Sequence, residues 1–156
     1  METDLSKVSI LTRRKIEALI AVPLIRAFME KYGKDAAGDI VSSVINHLAR
    51  EYGADLAKKM GGNSIKDLIE GAKLFSKENA VIINQLDATE TKYDYEVTKC
   101  RYAEMYQELG MAELGYTLSC GRDMDFYKGF NPKMRLKRTK TIMEGYDCCD
   151  FRITIK

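Results

Sequence analysis

Cys120 and Asp123 stand three residues apart in a stretch with helical spacing, and Glu113, Thr117 and Tyr127 share their stripe. A thiol one turn from a carboxylate can serve as nucleophile and base. It can equally be a small core residue beside an acid that pairs with a lysine or arginine. Spacing leaves both readings open. Cys100 and Glu104 make a similar pair at i, i+4, although Cys100 also suits the end of a strand. Cys149 shares an apolar face with Phe151, so it is either an inert buried thiol or the wall, or nucleophile, of a pocket. Cys148 points to the opposite face and is given no role. Arg138 shares the parity of Met134, Leu136 and Ile142, which puts a guanidinium on the apolar side of a strand. There it must meet a carboxylate, either internal or on a ligand.

The elements that position these groups come at the end of the chain. Alternation in 134–142 and 149–155 predicts a β-hairpin with its turn at Glu144-Gly145-Tyr146-Asp147. With Gly145 and Tyr146 as the turn pair, Ile142 faces Cys149, Lys140 faces Phe151, Arg138 faces Ile153 and Leu136 faces Ile155. That register collects the apolar residues of both strands on one side, Met143 excepted. On the other side Thr139 meets Arg152 and Thr141 meets Asp150. Asp150 and Arg152 are then a structural ion pair or part of a second site. Upstream, residues 112–128 read as a helix, with Leu114, Leu118, Gly121 and Met124 as its packing row.

The first half reads as helices. Thr12 is placed to cap one carrying Ile16, Leu19, Ile20, Leu24, Ala27 and Phe28, with Pro23 as a kink or a break and Gly33 as the stop. A second runs from about Asp35 to Met60, its stripe formed by Ala37, Ile40, Val41, Val44, Ile45, Leu48 and Leu56. Gly53 is a candidate break and Gly61-Gly62 a firm one. Ser64 to Asp67 opens a short third helix. His47, at the edge of the second stripe, reads as a partly buried structural residue. From Ala80 the period becomes two, with strands around Val81 and around Tyr93 to Val97 joined by a turn at Asp87-Ala88-Thr89-Glu90. The expected fold is α+β: N-terminal helices (1–79), then a four-stranded antiparallel sheet in ββ-α-ββ order backed by a broken helix (80–156). One domain spans 1–156.

Composition narrows the function classes. With 25 Lys and Arg against 23 Asp and Glu, the net charge of +2 gives no pull towards nucleic acid or membrane. The basic residues between Lys133 and Lys140 read mainly as a solvated strand face. No signal peptide or membrane-spanning stretch is expected, and four cysteines, two of them adjacent, suit reduced thiols in a cytoplasm. No C-x-x-C spacing is present and the single histidine is remote, so no metal site is expected.

The last third of the chain carries a family resemblance. The elements C-x-x-x-E (Cys100, Glu104), L-G-x-x-E-L (Leu109 to Leu114), C-x-x-D (Cys120, Asp123), L-x-R-T-x-T-I (Leu136 to Ile142) and E-G-x-x-x-C-D-F-R (Glu144 to Arg152) resemble the L-2-amino-thiazoline-4-carboxylic acid hydrolase family. Ile16 to Leu24 is similar to that family's opening. A narrower likeness, limited to E-G-x-x-x-C-D-F and its preceding strand, is to small-molecule-binding domains of the vinyl-reductase type. The first resemblance implies hydrolytic opening of a cyclic amidine, 2-amino-thiazoline-4-carboxylate to a carbamoyl-cysteine, without a cofactor. It implies Cys120 or a water activated by Asp123 as the attacking group, and Asp123 or Asp150 as proton shuttle, with Cys149 a further catalytic candidate. Arg138 would anchor the carboxylate, with Thr139, Thr141 and Arg152 as further substrate-binding candidates. The implied partner is a small, carboxylate-bearing molecule, and a homo-oligomer is left open. The rival reading is a non-catalytic binding or sensor module, whose polar groups need not converge.

Overall fold

The computed structural model describes residues 7–156. Helix α1 (Ile10–Tyr32) is capped by Ser9, whose Oγ accepts the Thr12 N–H at 3.2 Å, so the cap lies three residues before the predicted one. Exposed Pro23 sits inside α1 without ending it. Gly33, at φ 90°, separates α1 from α2 (Lys34–Met60), and Gly61, in the left-handed helical conformation, ends α2. Helix α3 (Ile65–Ala72) opens with a reciprocal capping box between Ser64 and Asp67.

Two predictions about these helices are corrected. The row Ile16, Leu19, Ile20, Leu24 and Phe28 of α1 faces outward, while Ala18, Val22 and Ile25 pack inward. In α2 the buried positions are Ala37, Ala49, Gly53 and Leu56, with Ile40, Val44 and Leu48 exposed. Small side chains let the helix axes approach, and the bulkier rows are left on the outside. His47 is exposed too, its Nε2 lying 3.4 Å from Glu51.

Gly53 does not break α2; it is a point of close approach. A Cβ there would sit 2.1 Å from the Phe126 carbonyl oxygen, and one on Gly129 would sit 2.0 Å from that of Arg50. The two glycines bring α2 against α6 (Asp123–Phe130) backbone to backbone, which fixes α6 over the sheet.

Strands β1 (Val81–Ala88), β2 (Lys92–Cys100), β3 (Met134–Lys137) and β4 (Cys149–Ile155) form one antiparallel sheet in the order β1-β2-β4-β3. Its inner face carries Tyr93, Tyr95 and Val97 of β2 and Cys149, Phe151 and Ile153 of β4, packed on Phe126, Tyr127 and Phe130 of α6. The predicted helix over 112–128 is interrupted. After α4 (Arg101–Glu108) come α5 (Ala112–Gly115) and a π-helical turn, Tyr116–Cys120, closed by Gly121 N–H donating to the Tyr116 carbonyl at 2.7 Å. Met124, expected to pack, is exposed.

The last hairpin keeps the predicted parity with a different register. Leu136 pairs with Ile153 and Met134 with Ile155, two residues from the expected match. Strand pairing stops at Lys137, and a longer connection replaces the two-residue turn. Asp150 accounts for the shift. Its carboxylate accepts the Thr139 and Lys140 amides at 2.9 and 2.6 Å and the Thr139 hydroxyl at 2.7 Å, drawing the chain off the ladder. Buried Thr141 then caps a 3₁₀ turn, Ile142–Glu144, which ends at left-handed Gly145.

Candidate functional site

A cavity of about 150 Å³ lies between the inner face of the sheet and the broken helix. Tyr95, Val97, Phe126, Tyr127 and Phe151 give it aromatic and apolar walls. Three thiols, Cys100, Cys120 and Cys149, border it, together with Asp123 and the guanidinium-bearing Arg14, Arg122 and Arg138. Asp123 is the only carboxylate among these lining residues.

Asp123 and Arg138 form an ion pair at the cavity wall. The Arg138 side chain is 8% exposed and that of Asp123 is 29% exposed, so the acid keeps access to open space that the base does not. Arg138 Nη2 also donates to the Cys120 carbonyl at 2.9 Å, and the guanidinium lies 5.1 Å from the centre of the Phe151 ring. Its fork is therefore engaged within the protein. Burial raises the Asp123 pKa above the usual carboxylate range, and Arg138 only partly opposes this. Burial alone would lower the Arg138 pKa, but Asp123 outweighs it and the guanidinium stays charged.

All four cysteines are free thiols. Burial and then the charge of Asp123 raise the Cys120 pKa strongly, and burial pushes Cys149 up to about 11. Burial raises Cys100 as well. At neutral pH these groups are thiols rather than thiolates, which makes them poor nucleophiles. Cys149 Sγ accepts the Ile142 N–H at 3.2 Å, tying the connection to β4. No hydrogen bond joins Cys120 to Asp123 among the described residues. Tyr95 and Tyr127 share a hydroxyl–hydroxyl hydrogen bond of 2.8 Å, and burial raises the pKa of both.

Of the residues singled out in the sequence, Cys120, Asp123, Cys149 and Arg138 meet at this cavity, as does Cys100. Asp150, Thr139, Thr141 and Arg152 do not border it. Arg152 donates to the Tyr95 and Phe151 carbonyls and lies 3.6 Å from Glu96, and Thr141 donates to Glu144 at 2.6 Å. Glu113 pairs with Arg26 at 2.6 Å, so the stripe through Thr117 is split between two environments. Sequence reasoning missed Arg122 and the tyrosine pair. A signal for Arg122 existed: Leu114, Leu118, Arg122 and Phe126 form an i, i+4 row, and all four are buried.

Two solved structures have the same fold at low identity. The phenol-responsive sensory domain of the transcription activator PoxR, bound to phenol, is 13% identical with a TM-score of 0.57, over 94% of this chain and 76% of that one. A trafficking protein particle complex subunit 3 from Naegleria fowleri, covalently bound to palmitic acid, is 13% identical with a TM-score of 0.54, over 92% and 95%. No curated protein sequence matches the chain. No helix among the described residues is long and apolar enough to cross a membrane. The family model for L-2-amino-thiazoline-4-carboxylic acid hydrolase matches residues 13–153, spanning both the helices and the sheet that enclose the cavity, and the chain belongs to that family.

Proposed function

We propose that the cavity hydrolyses a small cyclic amidine bearing a carboxylate, with 2-amino-thiazoline-4-carboxylate as the substrate suggested by the family. The observation that carries this reading is Asp123, the one lining carboxylate among the described residues, partly exposed, with its pKa raised and its geometry held by Arg138. A carboxylate whose pKa is raised by burial suits general base and then general acid work. Asp123 takes a proton from a water that attacks the ring carbon between sulfur and the two nitrogens. Asp123 passes this proton to the ring nitrogen, and the second water proton moves from the added hydroxyl, as it becomes the carbonyl, to the departing nitrogen or sulfur as the carbon–heteroatom bond breaks. Water supplies the oxygen of the carbamoyl product, so no redox partner is needed. Arg138 orients Asp123 and, with Phe151 behind it, keeps the carboxylate in one rotamer. Cys120 and Cys149 shape the wall as neutral thiols in this scheme.

The alternative, a binding or sensor module, is favoured by the aromatic walls and by the phenol-bound sensory domain that has this fold. Ring opening followed by chromatography of the product separates the two. Turnover by the wild type and its loss in Asp123→Asn at saturating ring supports catalysis. Binding of the thiazoline without turnover by the wild type overturns it.

A further inference from the structure

We propose that Arg122, rather than Arg138, is the side chain that receives the carboxylate of the ligand, making this cavity selective for small anionic rings. The inference rests on the hydrolase reading for the identity of the ring, but not for the existence of the anion site. Arg122 is only 8% exposed and borders the cavity, and its side chain makes no hydrogen bond or ion pair among the described residues. A guanidinium carries five donors, and none of the Arg122 nitrogens is among the fully sealed, unpartnered atoms of the described residues, so they stay open to an acceptor that enters the cavity. Arg138 is the opposite case, since Asp123 and the Cys120 carbonyl already occupy its fork.

The local charge points the same way. Among the described residues three guanidiniums and one carboxylate line the cavity; Arg14 is paired with Glu17 at 2.6 Å and Arg138 with Asp123, which leaves Arg122 without an ion pair. Burial, and next the charge of Arg14, lower the Arg122 pKa to about 10, so it stays protonated at neutral pH in a site that disfavours the charge. A bound carboxylate relieves that imbalance. Arg122 also adjoins Asp123 in sequence, immediately after the π-helical turn, so anion acceptor and base are held on one short backbone segment. A ring whose carboxylate meets Arg122 could present its amidine carbon towards Asp123. The two charges of a zwitterionic amino-thiazoline carboxylate would then each find an opposite charge.

The test is calorimetric titration of wild type, Arg122→Met and Arg122→Lys with two matched pairs of probes. One pair is 2-amino-thiazoline-4-carboxylate and 2-amino-thiazoline; the other is benzoate and benzamide. Wild type should prefer the carboxylate in at least one pair by about 10- to 100-fold, the range expected for charge-assisted hydrogen bonds. Arg122→Met should shrink that preference to within about threefold, and Arg122→Lys should restore its direction with smaller size. Ligand-free Arg122→Met should melt no lower than wild type, because it removes an unpaired buried cation. A markedly lower melt would reveal an internal partner and overturn the proposal. So would a carboxylate preference that survives in Arg122→Met, or its absence from the wild type in both pairs. If the preference depends on Arg122 but the ring never opens, the anion site stands and the hydrolase reading falls.

Discussion

The two faces of β4 handle charge in opposite ways. On the outer side, Asp150 accepts three hydrogen bonds from Thr139 and Lys140, while Arg152 is spread over two carbonyls and two acidic neighbours. Asp150 and Arg152 find partners within the protein there, although Asp94 Oδ1 is buried without a hydrogen-bond partner among the described residues. On the inner side, Asp123 and Arg138 pair over Phe151 among aromatic walls, and the Arg122 side chain makes no hydrogen bond or ion pair among the described residues. The outer hydrogen bonds fix a loop, whereas the inner charged groups border a cavity. The distinction is one of dielectric, because a pair that is nearly neutral in water becomes costly to leave incomplete once water is removed.

The inner cluster should respond most strongly to substitution. Asp123→Asn should lower ring opening by about 10²- to 10⁴-fold, the usual range for a lost general base. Asp123→Ala should in addition cost about 3–5 kcal/mol of stability, since it strands Arg138 as a buried charge; urea unfolding measures this. If the alanine variant is as stable as wild type, the two faces do not differ as argued.

Asp150→Ala should cost less, about 1–2 kcal/mol for the lost hydrogen bonds, and leave turnover within about twofold. A large fall in turnover with an unchanged melt would move the chemistry to the outer face and reverse the comparison.

Acid should separate the two carboxylates by sign. Hydrogen bonds from Thr139 and Lys140 outweigh slight burial and hold Asp150 below the usual range. Its contribution is present above its unfolded pKa and lost as pH falls through the folded value. Asp123 has its folded value raised, so the native state binds the extra proton first and stability falls as pH rises through that window. On acidification, wild type should therefore lose its advantage over Asp150→Asn and gain on Asp123→Asn in urea midpoints. The acid limb of kcat/KM should inflect above the usual carboxylate range, because the base form of Asp123 is required. Slopes of the same sign for both variants would contradict the assignment.

The smallest expected effect is at the thiol. Cys120→Ala should keep turnover within about fivefold, since a thiol with a raised pKa contributes little nucleophile at neutral pH. A loss of 10²-fold or more, with affinity intact, would return the attack to Cys120.

Much of this molecule could be read from local pattern. The Ser64–Asp67 box, the stop at Gly61, the inward parity of Cys149, Phe151 and Ile153, and the burial of the Arg138 side chain all follow from covalent periodicities of 3.6 and 2. Those periods say which residues share a face. They do not say which face finds a partner. Tertiary contact decided that Ala18 and Val22 pack inward while Ile20 and Phe28 stay outside, because the helices approach where side chains are small. It also decided the two-residue register shift, through Asp150 capturing amides ten and eleven positions away. The pairing of Asp123 with Arg138, fifteen residues on, and the burial of Arg122 at the cavity beside it were decided in the same way. Adjacent residues carry opposite charge in the sequence, but only the packed chain determines which charge is answered within the protein and which is left facing the cavity.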